Sequence, residues 1–95
     1  MANQNKTFDD IKIDALKKGP EKFSEIMALE LFGKIMAIRY RKEISQRELS
    51  RLSGVAQKTI SRLENGEDSP KLETILKLAA ALGYTLQLAP IEETM

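Results

Sequence analysis

The chain has 95 residues, 42% apolar and 31% charged, with a net charge of +1, which fits one compact domain with an arm or tail and excludes pure disorder. It contains no cysteine and no histidine, so disulfides and thiolate chemistry are ruled out and the commonest general base and transition-metal ligand are missing. Residues 1–42 carry nine Lys/Arg against six Asp/Glu, and 43–95 carry six against eight; a nucleic-acid target would therefore be held by a few placed contacts and a doubled site.

The N-terminus MANQNKTFDD is polar, and no apolar run approaches the ~18 residues of a membrane span. A cytoplasmic protein is expected. Thr7 to Lys18 reads as a helix, with Thr7 as cap, Asp9 and Asp10 in the first turn, and Phe8, Ile11, Ala15 and Leu16 near one face. Gly19-Pro20 breaks it, and Pro20 suits the first position of a second helix running to about Lys42. Ala28, Leu31, Ile35 and Ile38 form one stripe of that helix, while Phe23, Met27, Leu29, Phe32 and Met36 occupy other faces. A helix apolar nearly all round is covered on more than one side, and its first half needs cover from the N-terminal helix, a second copy or a partner.

In ISQRELSRLSG, Ser45 caps, Glu48 completes a capping box, Leu49 and Leu52 point inward, and Gly54 ends the helix. SGVAQKTISRLENG follows, with Val55, Ile60 and Leu63 apolar and Gly66 closing it. In DSPKLETILKLAAALG, Ser69 caps, Pro70 starts a helix, Leu72, Ile75, Leu76, Ala79 and Leu82 pack, and Gly83 stops it. The tail YTLQLAP changes period: Tyr84, Leu86 and Leu88 alternate with Thr85, Gln87 and Ala89 up to Pro90, which is a strand pattern. With no second strand in the chain, it either pairs with a copy across a two-fold axis, making these three residues a dimer contact, or stays a loose tail.

Two short helices joined by Gly54-Val55-Ala56 make a helix-turn-helix or a plain bundle corner. The outward face favours the first. Burying Ile60 and Leu63 leaves Gln57, Lys58, Ser61, Arg62 and Asn65 outside. Gln can bond the adenine major-groove edge bidentately, and Arg or Lys the guanine edge. A merely solvated face would show more Glu–Lys pairs.

SQRELSRLSGVAQKTISRLENG resembles the helix-turn-helix of Cro/C1-type (XRE) DNA-binding proteins, including the lambdoid phage repressors, over roughly Ile35 to Gly83. Gln46, Glu48-Leu49, Gly54-Val55, Gln57, Ile60-Ser61 and Leu63-Glu64-Asn65-Gly66 all fall in family register. The resemblance implies an all-α, five-helix, lambda-repressor-like domain that binds a double-stranded operator as a homodimer. It implies phosphate contacts from Ser45, Gln46, Thr59 and the amides near Asn65, base contacts from Gln57, Lys58, Ser61 and Arg62, and a partly buried Arg39–Glu64 ion pair. Two positions depart from the family pattern. Ser50 stands where alanine is usual, and Glu67-Asp68 replace a basic or neutral loop, a gap that Lys71 and the amides of the next helix could fill.

The helical extension and the terminal LGYTLQLAP are similar to HigA-type antitoxins of bacterial toxin–antitoxin operons. That resemblance implies an autorepressor that also binds and neutralises a small RelE-like (HigB-like) messenger-RNA-cleaving toxin. Phe8, Ile11, Leu16, Phe23 and Met27 are then a toxin-facing or an arm-packing surface. A dimeric XRE-family repressor without a toxin is the alternative. The expected organisation is a helical arm over 1–27, a helix-turn-helix domain over 28–83 and a strand and tail over 84–95. An enzyme is not expected: the carboxylate pairs Asp9-Asp10 and Glu92-Glu93 lie near the termini and the five glycines form no phosphate loop. Neither a cofactor nor a metal is expected.

Overall fold

The computed structural model describes residues 8–90. Five helices occur in order: α1 (Phe8–Lys18), α2 (Pro20–Arg41), α3 (Gln46–Ser53), α4 (Gln57–Glu64) and α5 (Leu72–Ala81). The chain forms two compact units, one containing residues 8–27 and one spanning Ala28–Leu88, with α2 contributing to both. Thr7, expected to cap α1, lies outside the described residues, as do Glu92 and Glu93.

The core lies in the second unit. Phe32, Ile35 and Met36 of α2, Leu49 of α3, Val55 in the turn, Ile60 and Leu63 of α4, and Ile75, Leu78, Ala79 and Leu82 of α5 are buried together. Phe32 apart, this core is built from aliphatic side chains and Met36, and α3 packs on both α4 and α5. Three expected core residues are not in it. Leu52 is 44% exposed, Leu72 64% and Leu76 42%. Leu52 sits about 60° round α3 from Leu49 and Leu76 about 100° round α5 from Ile75, and Leu72 is in the first turn of α5. Helices of eight and ten residues offer only that one stripe to so small a core.

The ends of α2, α4 and α5 share one construction. The residue three beyond the helix donates back five positions and its predecessor donates back three: Ile44 to Arg39 and Glu43 to Tyr40, Glu67 to Arg62 and Gly66 to Leu63, Tyr84 to Ala79 and Gly83 to Ala80. This closure needs a left-handed residue at the penultimate position. Gly66 (φ 74°) supplies it in α4, but α2 uses Glu43 at φ 56°. A side chain is strained there. Replacing Glu43 with Gly should therefore stabilise the protein by about 0.5–1 kcal/mol despite the added freedom of the unfolded chain, read as a higher denaturation midpoint.

Local capping explains the other boundaries less evenly. Ser45 Oγ accepts from the Glu48 amide at 3.0 Å, the first half of the expected box. The Glu48 carboxylate turns instead to Arg51, accepting from its Nε at 3.1 Å and Nη2 at 2.5 Å. The α5 start differs from expectation: Lys71, extended at φ −87°, ψ 154°, precedes the helix and no side chain caps it. Packing of Ile75, Leu78 and Ala79 places its first turn, so Ser69 and Pro70 remain outside.

The tail is the main departure from the expected secondary structure. Residues 84–90 are neither helix nor strand, and no strand occurs among the described residues. The alternating pattern is present in sequence, yet a strand requires a neighbour for its backbone donors and acceptors, and among the described residues there is none. Leu86 leans on the helical core, while Tyr84 and Leu88 are exposed.

Candidate nucleic-acid interface

The turn between α3 and α4 is locally determined. Gly54 ends α3 in the left-handed conformation (φ 78°), its amide bonding the Ser50 carbonyl at 2.9 Å. Ser53 Oγ accepts from the Val55 amide at 3.1 Å. Val55 drops into the core and α4 begins at Gln57, preceded by Ala56 with no side-chain cap. Ser50, at the position where the family usually has alanine, is half-buried.

Burial of Ile60 and Leu63 fixes the rotation of α4. Gln57, Lys58, Arg62 and Asn65 are exposed and Ser61 is half-buried, so these five lie along the outer face at the spacing of successive turns. Thr59 is half-buried to one side, and Ser45 is exposed at the start of α3. Lys58 has no carboxylate partner among the described residues.

One carboxylate ties three helices together behind this face. Glu64, ending α4, accepts at Oε2 from Arg39 Nη2 of α2 at 2.6 Å and at Oε1 from Gln46 Nε2 of α3. Arg39 Nη1 also donates to the Ile44 carbonyl at 2.8 Å, and its guanidinium carbon lies 4.4 Å from the Tyr40 ring centre. The Arg39–Glu64 pair was legible through family register. The Gln46 bond was not, because it joins residues eighteen apart that no helical spacing connects. It leaves Gln46 one amide hydrogen outside this bond.

Arg62 has a role in the structure that the sequence did not announce. Its Nε donates to Asp68 Oδ2 at 2.8 Å, and its Nη1 lies 3.4 Å from Glu67 Oε1. The hydrogen bond from Arg62, followed by the positive charges of Arg62 and Lys71, holds the Asp68 carboxyl below the usual aspartate range. The same bond raises Arg62 above its ordinary value. The hint in the sequence was the acidic pair itself, one turn residue beyond Gly66.

Of the residues expected on a toxin-facing or arm-packing surface, Ile11 and Leu16 are exposed and Phe23 and Met27 half-buried. The side chain of Phe8 lies outside the described residues. Ala15 is buried in the same unit. Among the described residues, no group of three or more His, Cys, Asp or Glu is placed to hold a metal ion, and no helix is long and apolar enough to cross a membrane.

The arrangement of a short core-anchored helix, a glycine turn and a second short helix with an amide- and cation-bearing face coincides with a known profile: the helix-turn-helix family matches residues 35–88. This chain belongs to the helix-turn-helix family. Its type is that of the XRE proteins. An uncharacterised HTH-type transcriptional regulator of Haemophilus influenzae is 43% identical over 65 residues, covering 68% of this chain and 66% of that protein. The CTXphi cryptic-phage transcriptional repressor RstR of Vibrio cholerae is 40% identical over 54 residues, covering 57% of this chain and 49% of the repressor. The chain thus spans about two thirds or less of the curated relatives it matches. Among solved structures, a toxin–antitoxin module from Streptococcus pneumoniae superposes with a TM-score of 0.61 at 33% identity, covering 95% of this chain and 99% of that one. The helix-turn-helix match excludes the first part of α2 and all of α1, whereas the structural likeness extends over them.

Proposed function

We propose that this chain is the antitoxin of a type II toxin–antitoxin operon: a sequence-specific, DNA-binding autorepressor that also binds and neutralises a RelE/HigB-like toxin. The observation that carries the DNA half is the α4 face, where Gln57, Lys58, Ser61 and Arg62 stand clear of a core fixed by Ile60 and Leu63. Amide and guanidinium groups on that face match the donor–acceptor patterns of adenine and guanine edges. Ser45, Gln46, Thr59 and the amides near Asn65 hold flanking phosphates, which position the helix without reading sequence.

The toxin half rests on the likeness to the pneumococcal toxin–antitoxin module, which covers nearly the whole of both chains and so includes the arm. Residues 1–27 serve as the arm, and Ile11, Leu16, Phe23 and Met27, with Phe8, form its toxin-facing surface. Residues 28–83 serve as the DNA-binding domain. Residues 84–95 join two copies: the backbone at 84–90 has no ladder partner, Tyr84 and Leu88 are exposed, and the same segment of a second chain completes a two-stranded pair. The protein works in the cytoplasm. The relatives called transcriptional regulators and a phage repressor support a second reading, a dimeric repressor with no toxin.

The test has two arms on the full-length chain. Gln57→Ala should weaken binding to a duplex selected from a randomised pool by about 1–3 kcal/mol and relax discrimination at one base position; unchanged affinity removes Gln57 from base readout. Native capture of the tagged protein should bring down a small stoichiometric partner with ribonuclease activity that the antitoxin suppresses. Recovery of DNA alone leaves the repressor reading in place.

A further inference from the structure

The turn at the end of α4 is closed twice upon the same residue. The Glu67 amide bonds the Arg62 carbonyl at 2.9 Å, and the side chains of Glu67 and Asp68 take the Arg62 guanidinium. Gly66, at φ 74°, makes this reversal without strain. Helix propensity and capping do not account for the acidic pair: carboxylates beyond a helix C-terminus face the negative end of its dipole and are disfavoured there.

We propose that Glu67 and Asp68 brace Arg62 for reading a base edge and withhold it from DNA phosphate. This rests on the DNA-binding reading given above. A guanidinium has five N–H donors in a planar fork. Asp68 occupies Nε and Glu67 lies beside Nη1, which leaves the Nη2 side of the fork open. A phosphate entering there brings negative charge beside two carboxylates and must displace them or bear their repulsion. A guanine edge is neutral overall and offers O6 and N7 as acceptors, so it accepts from the fork with the brace intact. The penalty thus falls on the charged, sequence-independent ligand and spares the base. At the outer face of α4 and the turn after it, Lys58 and Arg62 are matched by Glu67 and Asp68, which reduces the field that drives non-specific association. Asp68 and Glu67 are positioning residues in this account, acting on DNA through Arg62.

The full chain and its Glu67→Gln/Asp68→Asn variant are compared on two duplexes of about 30 bp, long enough for half-sites about one helical turn apart. One duplex is selected from a randomised pool and the other is its scrambled counterpart. Removing the brace should raise affinity for the scrambled duplex about fivefold, steepen its log K against log salt slope by about one, and leave the selected duplex within about twofold. In an Arg62→Ala background the same two substitutions should leave the affinity ratio unchanged. Equal gains on both duplexes overturn the brace, since two negative charges were then only opposing DNA in general. A ratio that shifts equally without Arg62 overturns it as well. Circular dichroism melts verify that every variant is folded. Failure of the unmodified chain to select any duplex is a different result: it sinks the DNA-binding reading and the brace together.

Discussion

Glu64→Ala should cost about 3 kcal/mol of stability, the low end of the range for breaking a buried ion pair, because Glu64 keeps 15% of its side chain exposed. The loss is asymmetric. Arg39 is buried and its Nε already lacks a hydrogen-bond partner, so removing the carboxylate leaves a charge in the interior with only the Ile44 carbonyl and the Tyr40 ring beside it. Against a total stability of about 5–15 kcal/mol for a domain, that is a large fraction, and the melting temperature should fall by roughly 12 °C or more. The diagnostic comparison is the double change Arg39→Met/Glu64→Leu, which removes both charges and should recover most of the loss. A Glu64→Ala cost below about 1 kcal/mol in urea denaturation would place the pair among exposed salt bridges of little consequence. It would also mean that the geometry of α2, α3 and α4 is set by apolar packing alone. Glu64→Gln, which keeps an acceptor for Gln46, should lose less than Glu64→Ala.

The features legible in the sequence were those set by neighbouring residues. Ser45 as cap, Gly54 as the left-handed stop, and Val55, Ile60 and Leu63 as the buried side of the turn each depend on a few adjacent positions, and each is found in the structure. Periodicity gave the phase of α3 and α5 but not the width of the face their neighbours cover, which is why Leu52, Leu72 and Leu76 were placed inside. Capping chemistry was offset by competition: Glu48 had the position for a capping box and the partner Arg51 one turn later, and the ion pair took it. The contacts joining Gln46 to Glu64 and Arg62 to Asp68 depend on how separate segments approach, and no local period encodes them. For Tyr84, Leu86 and Leu88 the alternation was real, but strand formation is a property of two segments, and no second strand-forming segment lies beside this one among the described residues.

Leu49→Ala should destabilise the protein by about 2–5 kcal/mol, with the upper half of that range expected. Leu49 has 0% of its surface exposed and is on α3, the helix that packs against both α4 and α5. Its removal opens a cavity among Ile60, Leu78 and the rest of one small apolar cluster. Collapse around that cavity would have to move α4, whose rotation presents Gln57 and Arg62, so partial relief of the cavity should come at the expense of the outer face. Leu52→Ala is the matched control: same chemistry, same helix, three residues away, yet 44% exposed, with an expected cost below about 1 kcal/mol. Chemical denaturation of both variants checks the contrast through the midpoint at unchanged slope. Equal losses at Leu49 and Leu52 would mean that Leu52 is covered in solution, and a second copy of the chain over α3 would then have to be sought by light scattering. A large loss confined to Leu49 would show that the buried side of α3 carries the packing against α4 and α5.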